Sequence, residues 1–311
     1  MHDGESCVEQ WPLRWVPPQR PVGWPLLLMA IGVESAVVIL AQLVVFRDVE
    51  KWVPWGVQLY RETGGLVNFT LLTSIFSQAA VIGVVLMGVG RLRPASLGLD
   101  LRRVPAAIVW TFLAWAAAQV VTLVAGSAAG ETVRLHDHWS SGSWTSPTGD
   151  WVGQLLGNAL FEEVFFRGFV LPQCVWRAMT WLRGTPDRTR VAVALVASQA
   201  IFALCHVPFN LVNGSGTGVG QWMLLAQFAM GLILCGVYLR TGNLFLAVGL
   251  HAATNDPGPL LTGGPVTNNL PRTLLGIGML VAVTIVPRMA IWIGGFHAGS
   301  SRVKRPSVDD V

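Results

Sequence analysis

Trp151-Val-Gly-Gln-Leu-Leu-Gly-Asn-Ala-Leu-Phe-Glu162-Glu163-Val-Phe-Phe-Arg167-Gly-Phe-Val-Leu171 reads as a membrane helix with three charges at its centre. A charged residue near the middle of a spanning helix costs about 2.5–3.5 kcal/mol on the lenient insertion scale. Charges placed there must be satisfied within the protein or used by it. Two further apolar runs carry a similar anomaly: one holds His206, the other His251 with Asn255. Carboxylates and imidazoles gathered inside a bilayer suggest hydrolysis or proton chemistry.

Composition sets the class. The chain has 311 residues, 52% hydrophobic and only 12% charged, with a mean hydropathy of +0.54. Soluble domains carry about 25% charged residues, so the expected fold is all-α, a polytopic helical membrane protein. The net charge of +4 is no nucleic-acid signature, because the Arg residues fall in short loops between apolar runs. The partners implied are the lipid bilayer and a membrane protein or peptide, with no nucleic acid. Cys7, Cys174, Cys205 and Cys235 lack metal-finger spacing and imply no disulfide framework. Cys205, beside His206, reads as a small buried residue rather than a nucleophile. The stretch at 11–18 is rich in Pro and Trp and has neither the basic start nor the cleavage site of a signal peptide. It is expected to stay attached and lie at the membrane surface.

A spanning helix needs about 20 apolar residues. Eight candidates follow: 25–46, 66–90, 104–129, 151–181, 191–207, 221–239, 244–255 and 273–293, the seventh short and the fourth long. Pro172 is expected to break the fourth, and Pro208 to end the fifth just after His206. The Gly/Ser tract after Pro208 reads as a flexible connection. Basic residues crowd alternate loops: Arg91, Arg93, Arg102 and Arg103, then Arg183, Arg188 and Arg190, then Arg240, then Arg302, Lys304 and Arg305. That alternation predicts both termini in the cytoplasm. The first loop, with Arg47, Lys51 and Arg61, fits it least well. Residues 1–90 form a tail with two helices, 91–256 a core carrying the chemistry, and 257–311 a last helix with a basic tail.

Helical spacing separates the two glutamates. Glu163 and Arg167 are four apart and share a face in the favourable order. Arg167 therefore neutralises Glu163 and leaves Glu162 as a candidate general base. Gln154 and Asn158 precede Glu162 by eight and four residues and extend a polar stripe. Phe202 lies one turn before His206, with Gln199 on the same side. His251 and Asn255 are also four apart. They could stabilise an oxyanion, or His251 could bind a metal. Ala and Gly around them allow close helix packing.

Read in order, the segments are Glu-Glu-x-x-x-Arg, Phe-x-x-x-His and His-x-x-x-Asn, each in an apolar helix. This pattern resembles the CPBP family of intramembrane proteases, which includes type II CAAX prenyl endopeptidases and bacteriocin-immunity relatives. Glu162, Glu163, Arg167, Phe202, His206, His251 and Asn255 match without departure in residue type. Arg93-Pro-Ala-Ser-Leu-Gly-Leu99 also looks like the segment preceding that domain, so the resemblance covers roughly 91–256. It implies an integral membrane metalloendopeptidase acting on membrane-associated or prenylated CAAX-type substrates, here in a bacterial cell membrane. Glu162 and His206 would activate a water, and His251 and Asn255 would face the oxyanion. Glu162, His206 and His251 also form a plausible set for zinc. The rivals are a non-catalytic immunity or scaffold protein and a proton- or metal-coupled transporter. Transporters often show internal repeats, and the sequence shows none.

Overall fold

The computed structural model describes residues 19–140, 144–212, 217–255 and 259–285. The Trp/Pro stretch at 11–18, the Gly/Ser tract at 213–216, Cys7 and the basic C-terminal tail lie outside them. Almost every described element is a helix. In chain order they are α1 (Trp24–Leu40), α2 (Pro54–Glu62) and α3 (Phe69–Ser77, continued by the π-helical Gln78–Val89). Then come α4 (Val104–Ala128) and α5 (residues 145–181), followed by α6 (Asp187–Cys205) and α7 (Thr217–Thr241). The last two are α8 (Leu244–Thr254) and α9 (Pro265–Ile285). A two-residue antiparallel pair, β1 (Arg134–Leu135) with β2 (Leu261–Thr262), ties the loop after α4 to the loop before α9.

Five stretches are long and apolar enough to cross a membrane: Trp24–Leu43, Phe69–Val89, Leu101–Ala128, Asp187–Leu211 and Gln221–Thr241. The protein is an integral membrane protein of helical type. α5 fails that test of composition because it carries the charges quoted above. α8 has 11 residues, about 16 Å of helix, too short for a hydrocarbon layer of about 30 Å. It is instead enclosed by protein: Leu244, Ala247, Val248, Gly249, His251, Ala252 and Ala253 are all buried. The small residues bring α4 close, since a Cβ at Gly249 would lie 2.0 Å from the Thr111 hydroxyl. The least consistent loop resolves into helix. α2 and the preceding turn expose Trp52 and Trp55, and Arg61 pairs with Glu50 at 3.1 Å. Aromatic and charged residues on a short exposed helix suit the membrane interface.

α5 bends, but not at Pro172. The non-helical residue is Gly157 (φ −111°, ψ −105°), and the helix runs on through Pro172. Proline has no N–H to give the Gly168 carbonyl. The Gln19 side chain donates to that carbonyl instead, and to Ser96 O at 2.8 Å. Gly168 also lets the turn Pro94–Leu97 lie flat against α5, where a Cβ would meet Leu97 O at 2.4 Å. At the next span, α6 ends at Cys205 with His206 as its capping residue, and a fresh turn, Val207–Val212, begins at once. The helix is thus interrupted at His206 rather than terminated by Pro208. One core unites these parts: Leu27, Val81, Leu86, Leu97, Phe165, Phe169, Val175, Phe202 and Leu244 are buried together.

Candidate active site

Three elements bring the motif residues together. Glu162, Glu163 and Arg167 come from the middle of α5, Phe202 and His206 from the end of α6, and His251 from α8. Glu163 and Arg167 are fully buried. The four-residue spacing sets Arg167 Nη1 3.2 Å from Glu163 Oε1. The guanidinium also donates to Gly231 O at 3.3 Å and lies 4.5 Å over the Phe202 ring. Glu163 has a second partner that the spacing within α5 does not reveal: His251 Nδ1 donates to Oε1 at 2.8 Å.

Both imidazoles are held by Nδ1 and present Nε2 to the same atom. His206 Nδ1 lies 2.8 Å from Phe202 O. A carbonyl can only accept, so that nitrogen carries the proton and Nε2 of the neutral ring is bare. Phe202 meets the His206 ring edge-on at 4.5 Å. This explains the Phe-x-x-x-His spacing: one aromatic ring contacts both the guanidinium and the imidazole. His206 Nε2 is 3.9 Å and His251 Nε2 3.8 Å from Glu162 Oε2. That carboxylate oxygen is buried without a hydrogen-bond partner among the described residues, as are Glu163 Oε2 and Arg167 Nε.

Glu162 Oε2 and the two imidazole nitrogens are of the right donor type for zinc. Their spacing is wider than tetrahedral zinc holds, since bonds near 2.0–2.1 Å put ligand atoms about 3.4 Å apart. Among the described residues no group of three His, Cys, Asp or Glu is arranged to hold a metal ion. Separations of 3.8 and 3.9 Å do suit a water bonded to both partners at about 2.8 Å each.

Asn255 makes its side-chain bond elsewhere. It is the extended residue that ends α8, and its amide donates to Gln154 Oε1 at 3.0 Å. The break at Gly157 takes Gln154 off a regular helical stripe with Glu162. Two other residues border the site without belonging to the motif pattern. Gly231 supplies the carbonyl for Arg167, and any side chain there would meet Gln199 Oε1 at 2.3 Å. Glu34, in α1, is only 4% exposed and close enough to Glu162 for their charges to interact. The signal for Glu34 is a lone acid within an otherwise apolar span.

Fold and site define a helical membrane protein with carboxylates and imidazoles converging inside the bundle. Residues 144–255 match the family model described as type II CAAX prenyl endopeptidase Rce1-like. This match contains all three motif segments and supports the resemblance to CPBP/CAAX proteases. It begins after the 93–99 segment, which nonetheless packs on Gly168. No curated protein and no solved structure matches the chain.

Proposed function

We propose that this protein is an intramembrane endopeptidase that hydrolyses peptide bonds in membrane-associated or prenylated CAAX-type substrates. The observation that carries the reading is the convergence of two Nε2 atoms on Glu162 Oε2, at 3.8 and 3.9 Å, while Glu163 is engaged elsewhere. Glu162 takes a proton from water as the water oxygen attacks the scissile carbonyl, and the bare Nε2 of His206 orients that water. The C–N bond then breaks and the protonated Glu162 returns the proton to the leaving nitrogen.

His251 has a different task. With Nδ1–H given to Glu163, its Nε2 donates to an oxyanion only as an imidazolium. Glu163 is the counter-ion such a ring requires. Asn255 is the second oxyanion donor in this proposal, reached by exchanging its bond to Gln154. A divalent ion is an alternative to that role: Glu162, His206 and His251 would have to close in from 3.8 and 3.9 Å, with His251 Nε2 unprotonated, to hold one.

Purified protein in liposomes, given prenylated and unprenylated peptides in ¹⁸O-water, tests the reading. Cleavage with ¹⁸O in the new carboxylate is expected, and substrate flux without cleavage would favour a transporter. Exhaustive chelation followed by zinc addition tests the ion. The proposed orientation places Arg188 inside and Thr145 outside. Impermeant thiol reagents should then label Thr145→Cys and spare Arg188→Cys in intact cells.

A further inference from the structure

The interruption at His206 also has a contact outside the motif helices. α6 stops one residue earlier, at Cys205, and the turn Val207–Val212 that follows packs against α1. At that contact Ser35 stands between the Glu34 carboxyl and the Cys205 thiol. Ser35 Oγ donates to Glu34 Oε2 at 3.3 Å and lies 4.0 Å from Cys205 Sγ. Glu34 and Cys205 are both buried, at 4% and 7% exposure. A buried acid in a membrane span is expensive to keep and is a functional candidate by default. Glu34 has no ion-pair partner among the described residues. Its hydrogen bond instead leads, through Ser35, to the residue beside His206. α1 lies wholly outside the segment matched at 144–255.

We propose that Glu34 is a positioning residue: through Ser35 and Cys205 it fixes the break in α6 so that His206 Nε2 faces Glu162, making α1 part of the site. The inference rests on the endopeptidase reading given above. The role is geometric, so a glutamine, which keeps the shape and can accept from the Ser35 hydroxyl, should substitute for the glutamate, whereas alanine should not.

The test compares Glu34→Ala, Glu34→Gln, Cys205→Ala and the Glu34→Ala/Cys205→Ala double variant in liposomes, with kcat and KM measured separately. Modification of Cys205 by a membrane-permeant maleimide, located by peptide mass spectrometry, gives a readout independent of activity. Glu34→Ala should lose about tenfold or more in kcat with KM near wild type, since misplacement by about 1 Å can cost up to about a hundredfold. Its Cys205 should become reactive, and Glu34→Gln should restore both properties. The double variant should be no slower than Cys205→Ala alone, because two residues acting as one contact are not additive. Wild-type kcat with a protected Cys205 in Glu34→Ala, multiplicative losses in the double variant, or equal losses in Glu34→Gln and Glu34→Ala would each overturn the assignment. If the wild type cleaves nothing, the endopeptidase reading fails, while Cys205 labelling still decides the clamp.

Discussion

α5 carries two polar clusters, and they differ in how fully their hydrogen bonds are met. Near its end, Gln173 uses its whole amide. Oε1 accepts from Val22 N at 2.9 Å and Arg177 Nη1 at 3.4 Å, while Nε2 donates to Gln19 Oε1 at 3.0 Å and Arg20 O at 3.1 Å. Arg177 also donates to Val22 O and lies over the Trp24 ring, and among the described residues its Nε alone is left without a bond. At the middle of the same helix, Glu162 Oε2, Glu163 Oε2, Arg167 Nε and Arg167 Nη1 all lack hydrogen bonds among the described residues. A saturated network holds a structure together, whereas orphaned buried atoms call for an explanation such as catalysis. The first cluster has the character of a structural tie, and the second is where the proposed chemistry would take place.

The strongest way to break this assignment is Glu162→Gln. It should lower turnover by about 10²–10⁴-fold, the usual worth of a general base, and leave thermal unfolding in detergent unchanged. Equal cleavage by this variant and wild type would remove Glu162 from the mechanism. Next is Glu163→Gln, which leaves the Arg167 guanidinium buried without a counter-ion and should destabilise by about 3–5 kcal/mol. Adding Arg167→Met should recover part of that loss, read from denaturant midpoints. If Glu163→Gln unfolds like the wild type, the pair is not a buried ion pair.

Gln19→Ala probes the saturated cluster. It strips partners from the Gly168 carbonyl and the Gln173 amide and should cost about 1–3 kcal/mol, with kcat per folded molecule unchanged. A fall in kcat without loss of stability would reverse the division between the clusters. The smallest effect lies at the far end of the bundle, where Glu131 accepts from Val266 N at 2.8 Å and Thr267 N at 3.0 Å at the start of α9. Burial raises the Glu131 carboxyl, but these amides and the Thr267 hydroxyl outweigh it and hold the group below its ordinary value. A lowered folded value means this cap is fully present above the ordinary glutamate value, about 4.3, and lost as pH falls through the lower folded value. The protection of the Val266 and Thr267 amides, relative to their intrinsic exchange rate at each pH, should therefore fall on acidification in that window. In Glu131→Gln it should already be low at neutral pH.

Much of this was legible in the sequence because it depends on local spacing. The Glu163–Arg167 contact follows from four residues on one helix, and the Phe202–His206 contact likewise. What escaped depends on contacts between distant segments. His251 as a partner of Glu163 joins residues 88 apart. Pro172 is a helix breaker by its own chemistry, yet Gln19 meets the carbonyl it leaves unpaired, and the bend falls at Gly157 instead. Gly231 is one of many membrane-helix glycines until Arg167 is seen to use its carbonyl. Glu34 lay in a run judged by its mean hydropathy, where one acid hardly registers.

The Gln19 contact also bears on how the protein is made. It closes a separation of 149 residues to reach the Gly168 carbonyl. During synthesis Gln19 leaves the ribosome long before α5 exists, so the carbonyl must find its donor after several helices have entered the bilayer. The segment that settles α5 is therefore an early-born piece with a late appointment. Insertion of every span and maturation of the centre become separable events, and a chain altered only at Gln19 can reach the membrane on schedule while its central helix waits to be sealed.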